Sequence, residues 1–395
     1  MPKLIPLFFL MMFILLFRVT DAFACPFCPA PMPTLSERYA RADVVLLVQW
    51  IGKKERTKKE AGQITFELLQ VAKQKKEKQA FQKREQITIK QQHDAKKGTL
   101  FLLMGHHEKK LIWSDAQEIT ETAFYYIQQA PSPEVATKKR LHFFLKFLEY
   151  HDSVIADDAY TEIANASYQE IVAITEKLSR KKLRKWLTDK ETLSPRFGLY
   201  GMLLGLCGTK EDIPLLEKII TQPVDDELRL GMDGVMGGYL LLTGAKGLTF
   251  IEKEKFYNKK CPASETYSAM QALRFMWTYG NGHISKDRLR KSMRNLVSQP
   301  QYADLAIADL ARWKDWTFQE KLMKLYDKND YKDPTLAAAI RLSIVRYLLA
   351  STIDYDKQST KPLPQHVIQC RNHIKTLRKK DPKTVKRAER FFSPE

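Results

Sequence analysis

The chain has 395 residues, 44% of them hydrophobic and 28% charged, with a formal net charge of +19. That apolar fraction excludes wholesale disorder, and the length exceeds one small domain. Five cysteines in 395 residues exclude a disulfide framework, so the fold must rest on its core.

The N-terminus carries the clearest signal. Lys3 precedes an apolar run, Leu4 to Phe17, and Ala22-Phe23-Ala24 follows as a small-x-small cleavage site. This predicts a secretory signal peptide over residues 1–24, too short to serve comfortably as a permanent anchor. The protein is therefore expected to be exported: periplasmic, envelope-associated or secreted. Cleavage after Ala24 would place Cys25-Pro26-Phe27-Cys28 at the tip of the mature chain. In an oxidising compartment two such close thiols tend to pair, so Cys25 and Cys28 read as a structural disulfide or a metal clasp. The competing reading is redox chemistry, because Cys-Pro-aromatic-Cys is similar to the glutaredoxin active site, where a helix N-terminus acidifies the first thiol. Here Pro29, Pro31 and Pro33 follow, which excludes a helix directly after the motif. The redox, metal or lipid state of the pair stays open on sequence alone.

Thr34 with Glu37 three residues on forms a capping-box pattern and predicts a short helix to Ala40. Period-two apolar runs over 43–51, 63–72, 86–89, 99–104 and 110–113 then predict an antiparallel sheet or small barrel within a domain over 25–130. Five strands in roughly 80 residues suit an OB-like barrel. Pro131 and Pro133 mark a linker. From Glu134 the period becomes 3.6, with Leu141, Phe144, Leu145 and Leu148 on one face. Helical hairpins then start near residues 196, 227, 265, 301 and 335, at spacings of 31, 38, 36 and 34. That period predicts an α-solenoid over 131–350, followed by a basic tail over 351–395.

Two resemblances follow from particular residues. The run Leu204-Gly205-x-x-Gly208 followed by Ile213-Pro214-Leu215-Leu216 resembles a HEAT-type repeat, in which glycine ends one helix and proline opens the next. Over about 195–350 this implies a right-handed helical stack used for binding or scaffolding. The front region resembles netrin-like barrels, the OB-type fold of metalloproteinase inhibitors, through a mature N-terminal cysteine, Ala42-Asp43-Val44 entering the first strand and an apolar fourth strand. Those proteins use a Cys-x-Cys start tied to the barrel, and here the barrel has no cysteine; the resemblance implies topology and not inhibition. The layout also resembles a group of exported proteins of planctomycete-type bacteria, a resemblance that supplies no activity.

The chemistry-bearing residues are sparse. There is no Gly-x-Ser-x-Gly, P-loop, dinucleotide fingerprint or His-Glu-x-x-His. His106-His107-Glu108 reads as a polar hairpin turn, and Cys370-Arg371-Asn372-His373 lacks the second pair that a zinc site needs. Asp158 and Glu162 share a helix face, where paired-carboxylate chemistry is conceivable, but they read first as solvated acids near a helix start. Gly231–Gly238 lies inside a helical pattern and reads as close helix packing. The densest polar–aromatic cluster contains Asp309, Arg312, Trp313 and Trp316. It is a candidate interaction platform for carbohydrate or peptide, with packing between hairpins as the preferred reading.

The charge is uneven. Residues 53–97 hold 14 Lys/Arg against 6 Asp/Glu, and residues 371–395 hold 9 against 3. Such segments are solvated surfaces, or they meet an anionic polymer or lipid surface; nucleic acid is not expected for an exported chain. The sequence thus predicts a multidomain protein, a small antiparallel OB/netrin-like β-barrel followed by an all-α HEAT-like solenoid. The expected function is a non-enzymatic scaffold binding a protein or cell-envelope partner without a cofactor. The alternative is an envelope thiol or metal protein acting through Cys25 and Cys28.

Overall fold

A computed structural model describes residues 24–57, 61–74, 81–92, 94–223, 228–328, 333–355 and 362–392; apart from Ala24, the expected signal peptide lies outside them. The described residues up to Ser179, with Asp189–Thr192, form one compact unit. Arg180–Thr188 and the residues from Leu193 onward form the second.

The first unit opens with helix α1 (Leu35–Arg41), capped as expected: Thr34 and Glu37 each accept the other's backbone N–H. An antiparallel sheet follows, with strands β1 (Val44–Lys54), β2 (Gln63–Gln74), β3 (Gln86–Ile89), β4 (Leu100–His107), β5 (Leu111–Trp113) and β6 (Gln117–Glu118). The order is β3-β2-β1-β4-β5, with β6 also on β4. Register shifts interrupt the β1–β2 ladder at three points, and such irregularities bend and twist a strand.

Alternate residues of β1, β2 and β4 (Val44, Leu46, Val48; Ile64, Phe66, Leu68; Phe101, Leu103) meet in one core with Ile87 and Ile89. Each such side chain contributes roughly 1.5–3 kcal/mol on burial. The two ends of the sheet meet through side chains. Phe81, just before β3, packs on Trp113 of β5 with ring centroids 6.0 Å apart. Gln91, just after β3, donates to the Ser114 carbonyl and accepts the Ala116 N–H, both at 3.0 Å. Gly105 allows the curl, because a Cβ there would lie 2.8–2.9 Å from the Leu111 and Trp113 side chains.

After the sheet, helices resume at residue 121, before the Pro131–Pro133 segment. The first unit adds α2 (Glu121–Gln129), α3 (Thr137–Phe144), α4 (Ser153–Ala164) and α5 (Tyr168–Val172). Of the expected apolar face, Leu141, Phe144 and Leu148 are buried and Leu145 is half-buried; α3 ends at Phe144.

The second unit is helical: α6 (Arg180–Trp186), α7 (Phe197–Cys207), α8 (Ile213–Thr221), α9 (Met232–Thr243), α10 (Ala245–Ile251), α11 (Ala263–Tyr279), α12 (Lys286–Arg294), α13 (Pro300–Arg312), α14 (Gln319–Tyr326), α15 (Pro334–Ala350), α16 (Gln365–Lys380) and α17 (Pro382–Glu389). Of the glycine-rich run, Gly231 precedes α9 with φ +79°, and Gly234, Gly237 and Gly238 lie inside the helix. Cβ atoms at Gly234 and Gly238 would sit 2.0 Å from the carbonyl oxygens of Gly198 and Gly201 on α7. Glycine on both helices is therefore what lets their backbones touch.

Within residues 362–392, expected as part of a basic tail, Gln365–Lys380 and Pro382–Glu389 are helical. Val367, Cys370, Ile374 and Leu377 of α16 and Val385 and Ala388 of α17 are buried. Among the described residues no helix is long and apolar enough to cross a membrane.

Candidate functional site

The N-terminal clasp is built on α4. Cys25 and Cys28 are joined as a disulfide. Cys25 is 4% exposed, its N–H donates to the Ala164 carbonyl at 3.0 Å, and the Cys28 N–H donates to the Cys25 carbonyl at 3.2 Å. The Pro-rich segment that follows cannot form a ladder, so α4 supplies its partners. The Asn165 side chain accepts the Met32 N–H at 3.3 Å and donates to the Met32 carbonyl at 2.7 Å.

Asp158 and Glu162 lie one turn apart beneath this segment, and they correct the sequence reading: they are buried, 5% and 3% exposed, rather than solvated. The reason is that the chain around α1 covers them and brings the donors they need. Asp158 accepts the Leu35 N–H at 2.7 Å and the Tyr126 hydroxyl at 2.9 Å. Glu162 accepts the Ser36 hydroxyl, and at 2.5 Å an Arg140 N–H. Burial pushes the Asp158 carboxyl up to about 6, against the opposing pull of those hydrogen bonds and of Arg38. Burial beside Asp158 likewise raises the Tyr126 phenol. Beside them a cavity of about 150 Å³ is lined by Glu37, Thr137, Arg140, Glu162, Asn165 and Glu170, among others. Each of its carboxylates already accepts hydrogen bonds: Glu37 from Thr34, Glu162 as above, and Glu170 from Ser167. Paired acids so fully engaged tie α4 to the chain around α1 and to Tyr126 and Arg140.

The cluster around Trp313 lies in the second unit and is largely internal. Asp309 is 1% exposed and accepts from Arg274 at 2.8 Å and Arg312 at 3.0 Å. Trp313 is 4% exposed and stacks on Trp277, centroids 4.5 Å apart. Trp316 is half-buried, edge-on to Tyr347 at 5.2 Å and stacked near His366 at 6.2 Å. Only Arg312 is open to solvent, with a side chain 70% exposed.

Asp309 belongs to a recurring device. Buried acids accept cations from 32–36 residues away in the chain: Arg180 with Asp212, 32 residues apart; Arg229 with Glu265, 36 apart; Arg274 with Asp309, 35 apart; and Arg288 with Glu252, 36 apart. Asp212 shows the effect: burial raises its carboxyl, but the Thr209 N–H, Arg180 and Arg184 outweigh it and hold it below its ordinary value.

Two open grooves among the described residues carry basic side chains. One groove of about 500 Å³ is lined by Arg180, Lys181, Arg184 and Glu211. A second of about 410 Å³ is lined by Lys375, Thr376, Lys379 and Lys380. Both are in the second unit; the second falls in the basic segment 371–395 noted in the sequence, and the first was not singled out there.

Other candidates disperse. His106 and His107 lie at the end of β4, paired with Ile112 and Leu111, rather than in a turn. Burial pushes the thiols of Cys207 and Cys370 up to about 11, which suppresses the reactive thiolate. Cys370 donates to Gln319 and is separate from His373, which contacts Glu320. Among the described residues no group of three or more His, Cys, Asp or Glu side chains is placed to hold a metal ion. No protein-family model matches the chain, and neither does any curated protein or solved structure.

Proposed function

We propose that this is an exported, non-enzymatic scaffold whose helical unit binds an anionic partner, a protein or a component of the cell envelope. The observation that carries this is that two open grooves of the helical unit are lined mainly by cations, with Glu211 the one acid between them, in a chain of net charge +19. A concave basic surface recruits acidic groups by long-range attraction.

The stacked-repeat reading of that unit rests on the arginine–carboxylate pairs at separations of 32–36 residues, which match the hairpin period. Contacts one repeat apart are what a HEAT-like solenoid requires. The OB-like reading of the first unit rests on the strand order β3-β2-β1-β4-β5 and on the Gln91 and Phe81–Trp113 bridges between its ends. The Cys25–Cys28 disulfide, with Cys25 buried and Cys28 half-buried, acts in this reading as a clasp that fixes the N-terminal segment on α4.

The test is binding of the full chain to soluble polyphosphate across a salt series. The expected result is an affinity that falls steeply and linearly on a log–log plot as salt rises, and that the double variant Cys25→Ser/Cys28→Ser retains. An isotherm unchanged between low and high salt, or no binding, overturns the basic-surface reading. Loss of binding in a folded cysteine variant moves the function to the thiol pair.

A further inference from the structure

We infer that the C-terminal helical pair, α16 and α17 with the adjoining Phe391, docks on the surface of an anionic phospholipid bilayer. The inference rests on the proposed function and names the chemistry of one partner. Three independent features of this pair converge on it.

The first is uncompensated charge. Lys375, Lys379, Lys383, Lys386, Arg387 and Arg390 are all exposed. None of them makes an ion pair with another described residue. The contrast is with their neighbours: Arg378 pairs with Glu389 at 2.7 Å and Lys380 with Asp327 at 2.6 Å. Like charges gathered without partners repel one another and lower stability. Their concentration on one helical pair therefore does not serve the fold, and an anionic surface would relieve it.

The second is their placement. On α16, Ile368, Asn372, Lys375, Thr376 and Lys379 are exposed and recur at i, i+4, i+7, i+8 and i+11, so they share one face. The buried residues Val367, Cys370, Ile374 and Leu377 define another. The open groove of about 410 Å³ falls on the exposed face, between Lys375, Thr376, Lys379 and Lys380. Lys380 is held by Asp327 and the Thr376 hydroxyl donates to the Asn372 carbonyl, which leaves the ammonium groups of Lys375 and Lys379 beside the concavity to meet a phosphate-bearing headgroup.

The third feature separates a bilayer from a soluble polyanion. Phe391 is 67% exposed and follows Arg387 and Arg390 by four residues and one. The Arg346 guanidinium lies 4.6 Å from its ring centroid, so a cation stands at the ring and not only along the helix. An aromatic ring among cations is the composition of segments that lie in the headgroup layer, the ring entering the acyl boundary and the cations meeting phosphate. A polyphosphate or acidic peptide would gain nothing from Phe391. The helices are held to the unit by their buried faces, so the contact is with the bilayer surface.

The experiment measures partitioning of the full chain onto vesicles of phosphatidylglycerol mixed with phosphatidylcholine, against phosphatidylcholine alone. Adsorption is expected on the anionic vesicles only, and it should weaken as salt rises. The triple variant Lys375→Gln/Lys379→Gln/Lys383→Gln should partition roughly a hundredfold less well, at about fivefold per cation. The matching Lys→Arg triple should keep wild-type adsorption. Phe391→Ser should lose roughly tenfold more of the binding while leaving the salt dependence as it was.

The inference is overturned by equal adsorption on neutral vesicles. It is also overturned by full adsorption of the glutamine triple at an unchanged melting temperature, or by a Phe391→Ser variant indistinguishable from wild type. Polyphosphate binding without vesicle adsorption overturns the lipid reading and leaves the scaffold reading standing. Failure to bind either one overturns both.

Discussion

Asp158 Oδ1 accepts the backbone N–H of Leu35 at 2.7 Å, from 123 residues away in the sequence. The carboxylate thus ties the entry of α1 to α4, with Tyr126 on its other oxygen. Burial raises this carboxyl from its ordinary 3.8 to about 6. The native state therefore holds the proton at pH values where the unfolded chain has lost it. Stability from this group is complete below about pH 4 and is lost as pH rises through about 6, by up to roughly 2–3 kcal/mol. Arg38, Arg140 and Glu162 face the same site and set the background. Asp158→Asn keeps an acceptor for Leu35 and has no proton to lose. Denaturant unfolding at several pH values should show a flatter profile for the variant between pH 4 and 7; parallel profiles would refute the assignment.

Glu162 and Arg140 form the neighbouring pair, with side chains 2% and 14% exposed. Removing one partner leaves the other charge desolvated, so Glu162→Ala should cost about 3–5 kcal/mol. Replacing both, Glu162→Leu with Arg140→Met, should cost markedly less, because no buried charge is left over. A double-mutant cycle by urea unfolding measures the difference. Additive losses would mean that Ser36, rather than Arg140, is what Glu162 serves.

Local patterns were legible in the sequence, and partners across long separations were not. The Thr34–Glu37 box and strands β1 to β5 were readable because capping and alternation act over a few residues. The tiny β6 gave no pattern to read. The burial of Asp158 and Glu162 was hidden because the segment that covers them lies more than 120 residues earlier. A signal was present all the same: Ile155, Ala159 and Ile163 put an apolar stripe on the same short helix, which leaves little room for a solvated face. The C-terminal helices were hidden by their own charge. Nine Lys/Arg in residues 371–395 drew the reading towards a tail, although Val367, Cys370, Ile374 and Leu377 step by 3, 4 and 3, the spacing of a buried helix face. For the platform around Trp313 the composition was plain, but exposure depends on Trp277, 36 residues away.

Gly238 tests whether α7 and α9 need glycine. A Cβ at this position would lie 2.0 Å from the Gly201 carbonyl oxygen, and the obstacle is backbone that cannot rotate aside. Alanine is the better helix former by about 1 kcal/mol, so propensity alone favours Gly238→Ala. Overpacking against a rigid carbonyl should win, with a net loss of roughly 2 kcal/mol or more and a lower melting temperature. A stabilised variant would show that the two helices can move apart freely.

Trp313 decides between packing and recognition at the aromatic cluster. Its ring lies almost parallel to that of Trp277, 8° apart. Lys286 and Arg290 sit 4.9 and 5.2 Å from the Trp277 ring centroid, and Arg290 also donates to the Trp313 carbonyl at 2.6 Å. The ring therefore fills a site between α11, α12 and the end of α13. Trp313→Ala should cost about 3–5 kcal/mol in urea unfolding, and Trp313→Phe clearly less. Arg312→Ala should change stability by less than about 1 kcal/mol, because its side chain is exposed and Arg274 still satisfies Asp309. A surface platform predicts the opposite order: a Trp313→Ala protein that melts like wild type but loses its partner. Measuring both quantities on the same three variants separates a ring that holds two hairpins together from one that holds a ligand.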